Sequence, residues 1–133
     1  MLNPDADIWF SDINERALEL CRVNYARIVP GAERDAACGK IIRSDGFDGF
    51  AGDRFDAIVT NPPIRTGKAN LYRLYRESRE HLAAGGALYL VIQKKQGMKS
   101  TFDELTRLFG NCADIARKAG YHVLAAVARA PCD

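Results

Sequence analysis

Phe55-Asp56-Ala57-Ile58-Val59-Thr60-Asn61-Pro62-Pro63-Ile64 couples a short apolar run to a double proline. The run Ala57 to Val59 predicts a buried strand. Pro62 and Pro63 cannot continue it, because proline has no N–H and a fixed φ. The residue before each proline is pushed to an extended conformation. The pattern therefore predicts a stiff loop at the carboxyl end of a strand, with the Asn61 side chain and the bare carbonyls of Asn61 and Pro62 held at fixed angles. In open α/β sheets ligands bind at that end of the strands. Taken alone, the stretch reads first as a rigid strand-ending turn, and the context of the other segments shifts the balance.

Working outward, the flanking segments alternate between periods of two and of 3.6. Upstream, residues 7–11 form a strand candidate ending at Asp12. Ala17, Leu18, Cys21, Tyr25 and Ile28 mark a helix over 14–28 that Pro30-Gly31 terminates, and 40–43 form a short strand before Ser44-Asp45-Gly46. Residues 47–54 read as a connecting loop or short helix. Downstream, Leu71, Leu74, Tyr75, Ser78 and Leu82 mark one helical face, stopped by Gly85-Gly86. Ala87 to Ile92 is the strongest strand candidate, ending at Gln93-Lys94, and Phe102, Leu105 and Phe109 mark a further helix ended by Gly110-Asn111. Two strands near 112–118 and 121–129 flank the hairpin-like Ala119-Gly120. This order predicts an α/β fold, a mostly parallel sheet with a C-terminal antiparallel hairpin. Polar strand ends at Asp12, Asp45, Asn61 and Gln93-Lys94 would then share one rim.

Each rim residue has a chemical and a structural reading. Asp12 can accept hydrogen bonds from ribose hydroxyls, or cap the next helix with Glu15 as its capping-box partner. Asp45-Gly46 is a standard turn pair, or a carboxylate that accepts from an adenine amino group. Asn61 and the Pro62 carbonyl can accept both hydrogens of an exocyclic amine, so that its lone pair faces an electrophile. Such positioning supplies several kcal/mol without a strong base. Ile64 can pack on an unstacked base. Arg65, Lys68, Lys94 and Lys95 are candidates for phosphate contacts. His81 and His122 fall in predicted elements and are assigned no role.

Composition sets the outer limits. The 133 residues are 47% hydrophobic and 27% charged, which predicts one soluble domain with a real core. No run approaches a membrane span of roughly 18 apolar residues, and Met1 to Asp5 do not resemble a signal peptide. The four cysteines are widely spaced with no Cys-x-x-Cys pair. They predict reduced thiols in a cytoplasmic protein and no metal site. The net charge of +2 is uneven: residues 1–67 carry 8 basic and 11 acidic residues, and 68–133 carry 11 and 6. The basic half suits a phosphate backbone, or is ordinary solvated surface.

Five stretches together carry a family resemblance. They are Asp-Ile-Asn-Glu-Arg-Ala-Leu at 12–18, Ser-Asp-Gly at 44–46, Ile-Val-Thr-Asn-Pro-Pro-Ile-Arg-Thr-Gly-Lys at 58–68, Val-Ile-Gln-Lys-Lys-Gln-Gly at 91–97 and Lys-Ala-Gly-Tyr-His-Val-Leu at 118–124. In that order they resemble the small-methyltransferase-domain family of class I S-adenosylmethionine-dependent methyltransferases, in particular the 16S ribosomal RNA guanine-N2 branch. The resemblance implies a Rossmann-like sheet, S-adenosyl-L-methionine as cofactor, and RNA (ribosomal RNA or a ribosomal subunit) as partner. It implies that Asp12 holds the cofactor ribose, that Asp45 and Gly46 hold its adenine, and that Asn61, Pro62 and Pro63 form the reacting centre. Ile64, Arg65 and Lys68 would flank the substrate base. The family's first strand and its glycine-rich loop have no counterpart in these 133 residues, so the chain corresponds to the C-terminal two-thirds of a methyltransferase domain. Exposed strand edges left in that way invite pairing with another chain, as in a homodimer. An inactive RNA-binding remnant, or half of a split enzyme whose partner supplies the loop, are the alternatives.

Overall fold

The computed structural model describes residues 10–12, 16–17, 19–20, 23, 41–43, 47–50, 52–62 and 64–129. The chain divides into two units, Met1–Ala51 and Gly52–Asp133. In the first, β1 (Phe10–Asp12) and β2 (Ile41–Arg43) pair in parallel with Asp12 opposite Arg43, so their carboxyl ends lie side by side. Residues 16–17, 19–20 and 23 are helical, inside the span predicted as a helix. Residues 47–50 form a turn whose Phe47 and Phe50 rings meet edge to face at 6.1 Å.

The second unit is a four-stranded sheet in the order β3-β4-β6-β5, with two helices against it. Strand β3 is Phe55–Thr60, helix α1 Lys68–Glu80, β4 Leu82–Gln93, α2 Met98–Phe109, β5 Ala113–Lys118 and β6 Tyr121–Val127. β4 pairs in parallel with β3 and antiparallel with β6, and β6 pairs antiparallel with β5. Leu88, Leu90 and Ile92 alternate along one face of β4 and are almost fully buried, with Leu124 and Ala126 of β6 beside them. Leu71 and Tyr75 of α1 and Leu105 and Phe109 of α2 close over that face to form the core. Burying each large side chain contributes about 1.5–3 kcal/mol.

The helices are tied by a buried hydrogen bond between the Tyr75 and Thr101 hydroxyls at 3.0 Å. Ser78, fully buried on α1, donates to the Leu74 carbonyl at 2.7 Å, so its hydroxyl is satisfied within the helix. Glu104, buried on α2, receives both arms of the Arg107 guanidinium at 2.7 and 2.8 Å. That hydrogen-bonded pairing holds the Glu104 carboxyl below its ordinary value. Cys112 is half-buried, and burial pushes its thiol up to about 11, which keeps it protonated and unreactive at neutral pH. Cys21, Cys38 and Cys132 lie outside the described residues.

Two predicted boundaries are corrected. Leu82 does not belong to the α1 face: the helix ends at Glu80, capped by His81, and Leu82 opens β4 opposite Phe55. Gly85-Gly86 does not stop a helix but bulges the strand, since the register passes from Phe55–Leu82 to Ala57–Ala87. Gly85 has φ +85, and a Cβ on Gly86 would stand 2.9–3.0 Å from the carbonyl oxygens of Ala83, Asp56 and Phe55. The Gly85 N–H and Gly86 carbonyl both bond to Ala128 at 2.7 Å, so the bulge locks three chain segments together. The buried strand predicted over Ala57 to Val59 is also only half right. Ile58 packs against the core, whereas Ala57 is exposed and Val59 is 72% exposed. Within its unit β3 is an edge strand, and both helices cover the face that Ile58 shares with Leu88.

The hairpin prediction holds. Ala119 and Gly120 both adopt positive φ, +54 and +85, the combination a two-residue hairpin turn needs. Among the described residues no helix is long and apolar enough to cross a membrane.

Two expectations follow. Gly86→Ala lowers folding stability by about 1–3 kcal/mol through the clash with three backbone oxygens, read as a fall in the urea midpoint. Glu104→Gln is destabilising at neutral pH only. Because the folded carboxyl sits below its unfolded value, its contribution is present above the ordinary glutamate range, near about pH 4.3, and disappears as pH falls through the lowered folded value. Urea midpoints of the wild type and Glu104→Gln therefore differ at pH 7 and converge in acid.

Candidate active site at the end of strand β3

β3 ends at Thr60, opposite Leu90, and Asn61 is the first residue beyond it. Asn61 is exposed and Pro62 buried, so the proline anchors the loop while the carboxamide faces outward. The Pro62 carbonyl is not bare, as predicted, but accepts the Ile64 N–H at 2.9 Å. A carbonyl oxygen has two lone pairs, so one acceptor site remains. The loop runs into a 3-10 turn at Ile64–Thr66 and, through Gly67 at φ +97, into α1. The Asn70 amide donates to the Thr66 carbonyl at 2.9 Å, and the Leu71 N–H to Gly67 at 3.2 Å.

β4 runs three residues past Leu90, to Gln93, then enters a 3-10 turn at Lys94–Gln96. The antiparallel register places Tyr121, the first residue of β6, opposite Gln93. The hairpin tip thus returns to the same end of the sheet as Asn61. His122, next along, has its ring nitrogen 2.8 Å from the Asp114 carboxylate, a contact that braces the hairpin.

An open depression of about 420 Å³ is lined by Asn61, Pro62, Ile64, Arg65, Gln96 and Tyr121. Four of the predicted site residues therefore meet, and two that sequence reasoning passed over join them. Gln96 lay in the quoted Gln-Lys-Lys-Gln-Gly stretch and Tyr121 in Lys-Ala-Gly-Tyr; only the β4–β6 register shows that they reach the loop. None of the lining residues is a carboxylate or an imidazole.

The other predicted residues distribute as follows. Lys94 and Lys95 are exposed on the 3-10 turn, and Lys94 lines a neighbouring depression of about 400 Å³ with Met98, Lys99, Phe102 and Asp103. The Lys68 ammonium lies 5.5 Å over the Tyr72 ring, a cation–π arrangement at the first turn of α1. Neither α1 nor α2 has an acidic residue in its first turn. Both positive helix ends therefore add to the field of Arg65, Lys68, Lys94 and Lys99. Asp12 closes β1 in the other unit. Asp45, Gly46 and Pro63 lie outside the described residues. Among the described residues no cluster of His, Cys, Asp and Glu is arranged to hold a metal.

The chain is similar to several known proteins. The chain is 40% identical over 124 residues to the uncharacterized protein YbxB of Bacillus subtilis, covering 92% of this chain and 58% of that one. It is 31% identical over 128 residues to ribosomal RNA large subunit methyltransferase G of Klebsiella pneumoniae, covering 93% of this chain and 32% of the relative. The chain thus spans 58% of the length of the first relative and 32% of the second. Its fold matches that of the T. thermophilus 16S rRNA N2 methyltransferase RsmC, solved with AdoMet and guanosine, at a TM-score of 0.63 and 20% identity over 94% of this chain and 36% of the other. The Rossmann-like α/β architecture is thereby shared with a methyltransferase of known structure. The Methyltransferase small domain family matches residues 1–125, and the chain belongs to that family.

Proposed function

We infer that this chain forms the substrate-facing part of an S-adenosylmethionine-dependent N-methyltransferase acting on the exocyclic amine of a base, guanine N2 in ribosomal RNA. The observation that carries this reading is the Asn61-Pro62 loop, whose Asn61 is exposed at the carboxyl end of β3 and lines a depression without a carboxylate or an imidazole. Family membership and the 31%-identical relative named as a ribosomal RNA methyltransferase support methyl transfer to ribosomal RNA.

S-adenosylmethionine, when bound, supplies an electrophilic methyl group on a sulfonium. The strand-end position of Asp12, beside the end of β2, fits a residue that would accept hydrogen bonds from its ribose; Asp45 and Gly46 would hold the adenine. Asn61 Oδ1 and the free lone pair of the Pro62 carbonyl accept the two N–H bonds of the amine and fix its lone pair in one direction. They also concentrate partial negative charge where positive charge grows on nitrogen. No lining side chain takes the proton, which passes to water once the amine is charged. Ile64 contacts the base. Arg65, Lys68, Lys94 and Lys95 would meet the RNA backbone.

On this reading the 133 residues furnish the C-terminal two-thirds of the catalytic domain. Among the described residues β3 pairs only with β4, and its other edge is where a strand carrying a glycine-rich loop would add. A second copy added along that edge would appear as a dimer in sedimentation, and a monomer would exclude it.

Asn61→Ala in the full-length protein tests the reaction. It is expected to lower methyl transfer to ribosomal RNA by about 10²- to 10³-fold and RNA affinity by no more than about 12-fold, because the phosphate contacts are untouched. Undiminished methyl transfer would refute the reading. Lys94→Gln and Lys95→Gln are each expected to reduce the slope of log affinity against log salt by about 0.7 on single-stranded RNA. A slope unchanged in both would remove these lysines from the interface.

A further inference from the structure

Three chain segments far apart in sequence converge on the depression beside Asn61. The β3 loop brings Asn61, Pro62, Ile64 and Arg65, the turn after β4 brings Gln96, and the hairpin brings Tyr121. Tyr121 is set there by two independent constraints: the left-handed Ala119-Gly120 turn and its pairing with both Gln93 and Lys118. Further along β6, Leu124 and Ala126 are fully buried, yet Tyr121 is 44% exposed. Core packing therefore leaves much of this large aromatic side chain at the rim. Arg65 is the one charged lining residue, so the depression suits an uncharged planar ring with its phosphate outside.

We propose that Tyr121 is the stacking face and Gln96 the edge reader of the target base, and that together they favour guanine over adenine. This rests on the amine-methylation reading of the Asn61 loop. An aromatic ring stacks on any base, so Tyr121 supplies affinity with little sequence preference. The Gln96 carboxamide carries an acceptor and a donor side by side. Guanine, with its N2 amine at Asn61, presents N1–H and then O6 along the same edge, a donor followed by an acceptor, which complements that amide twice. Adenine, held by N6, presents N1 as an acceptor and then a C–H, which complements it once. The added hydrogen bond discriminates between the two purines.

The experiment uses two short single-stranded oligoribonucleotides of pyrimidines carrying one central guanine or one central adenine. Their affinities for the full-length protein are measured by fluorescence anisotropy at one fixed salt concentration. The wild type is expected to prefer the guanine oligonucleotide. Tyr121→Leu should weaken both by about 5- to 150-fold, and Tyr121→Phe should retain affinity within about threefold. Gln96→Ala should cut the guanine preference by about 2- to 12-fold while changing adenine binding less. A wild type without preference, or Tyr121→Leu and Gln96→Ala variants that bind both oligonucleotides as the wild type does, overturns the proposal. Melting temperatures equal to the wild type establish that each variant is folded, and Tyr121→Phe carries the stacking test if Tyr121→Leu melts early: loss of binding in Tyr121→Phe overturns the stacking role. Methyl transfer by Asn61→Ala separates the two levels. If it is lost while Tyr121 and Gln96 prove neutral, the amine-methylation reading stands and this inference falls. If it persists, both fall.

Discussion

Every position in the site is referenced to β4, which pairs with β3 on one side and β6 on the other and whose core-facing side chains are almost wholly excluded from water. Its parallel pairing with β3 sets where Asn61 emerges, and its antiparallel pairing with β6 sets where Tyr121 returns. A slip of one residue in either ladder would turn Leu88, Leu90 and Ile92 away from the helices and expose them. The cost of that exposure fixes the register, and the register fixes the site. Gly86 strengthens the constraint, because only a residue without a Cβ lets β4 approach the carbonyls of Phe55 and Asp56 so closely.

The chemistry of the depression is that of a positioning site. Its lining offers amides, a carbonyl, an aromatic ring, an aliphatic side chain and one guanidinium. Such groups can hold and orient a neutral planar molecule, and none of them is a carboxylate or an imidazole that would withdraw a proton from it. Such a lining suits a nucleophile that is an amine, whose lone pair needs alignment more than activation. The charged groups stand around the depression instead, on the turn at Lys94–Gln96 and at the first turns of α1 and α2. Unopposed helix dipoles add to that positive rim.

Much of this was legible in the sequence, for reasons that can be named. The double proline has one physical consequence wherever it occurs, so the end of β3 and the exposure of Asn61 followed from it. Ala119-Gly120 between two apolar runs announced the hairpin because few residue pairs accept two successive positive φ values. Leu82 was misassigned because it stands four residues after Ser78, which continues a helical period by coincidence; pairing with Phe55 outweighs that period. Gly85-Gly86 looks like punctuation in one dimension, and only the approach of a second strand reveals a bulge. Gln96 and Tyr121 carried no local signal of their own. Their membership of the site is a property of the β4–β6 ladder, a long-range pairing that no window of sequence contains.

The proposed reaction requires that the protein take up S-adenosylmethionine, with Asp12 at the end of β1 as a contact to its ribose. Calorimetric titration of the full-length protein with S-adenosylmethionine, repeated with Asp12→Ala, tests it most directly. Saturable binding with a single site, lost in a folded Asp12→Ala variant, is the predicted result. A folded wild type that takes up no S-adenosylmethionine, or an Asp12→Ala variant that binds it unchanged, would contradict the account.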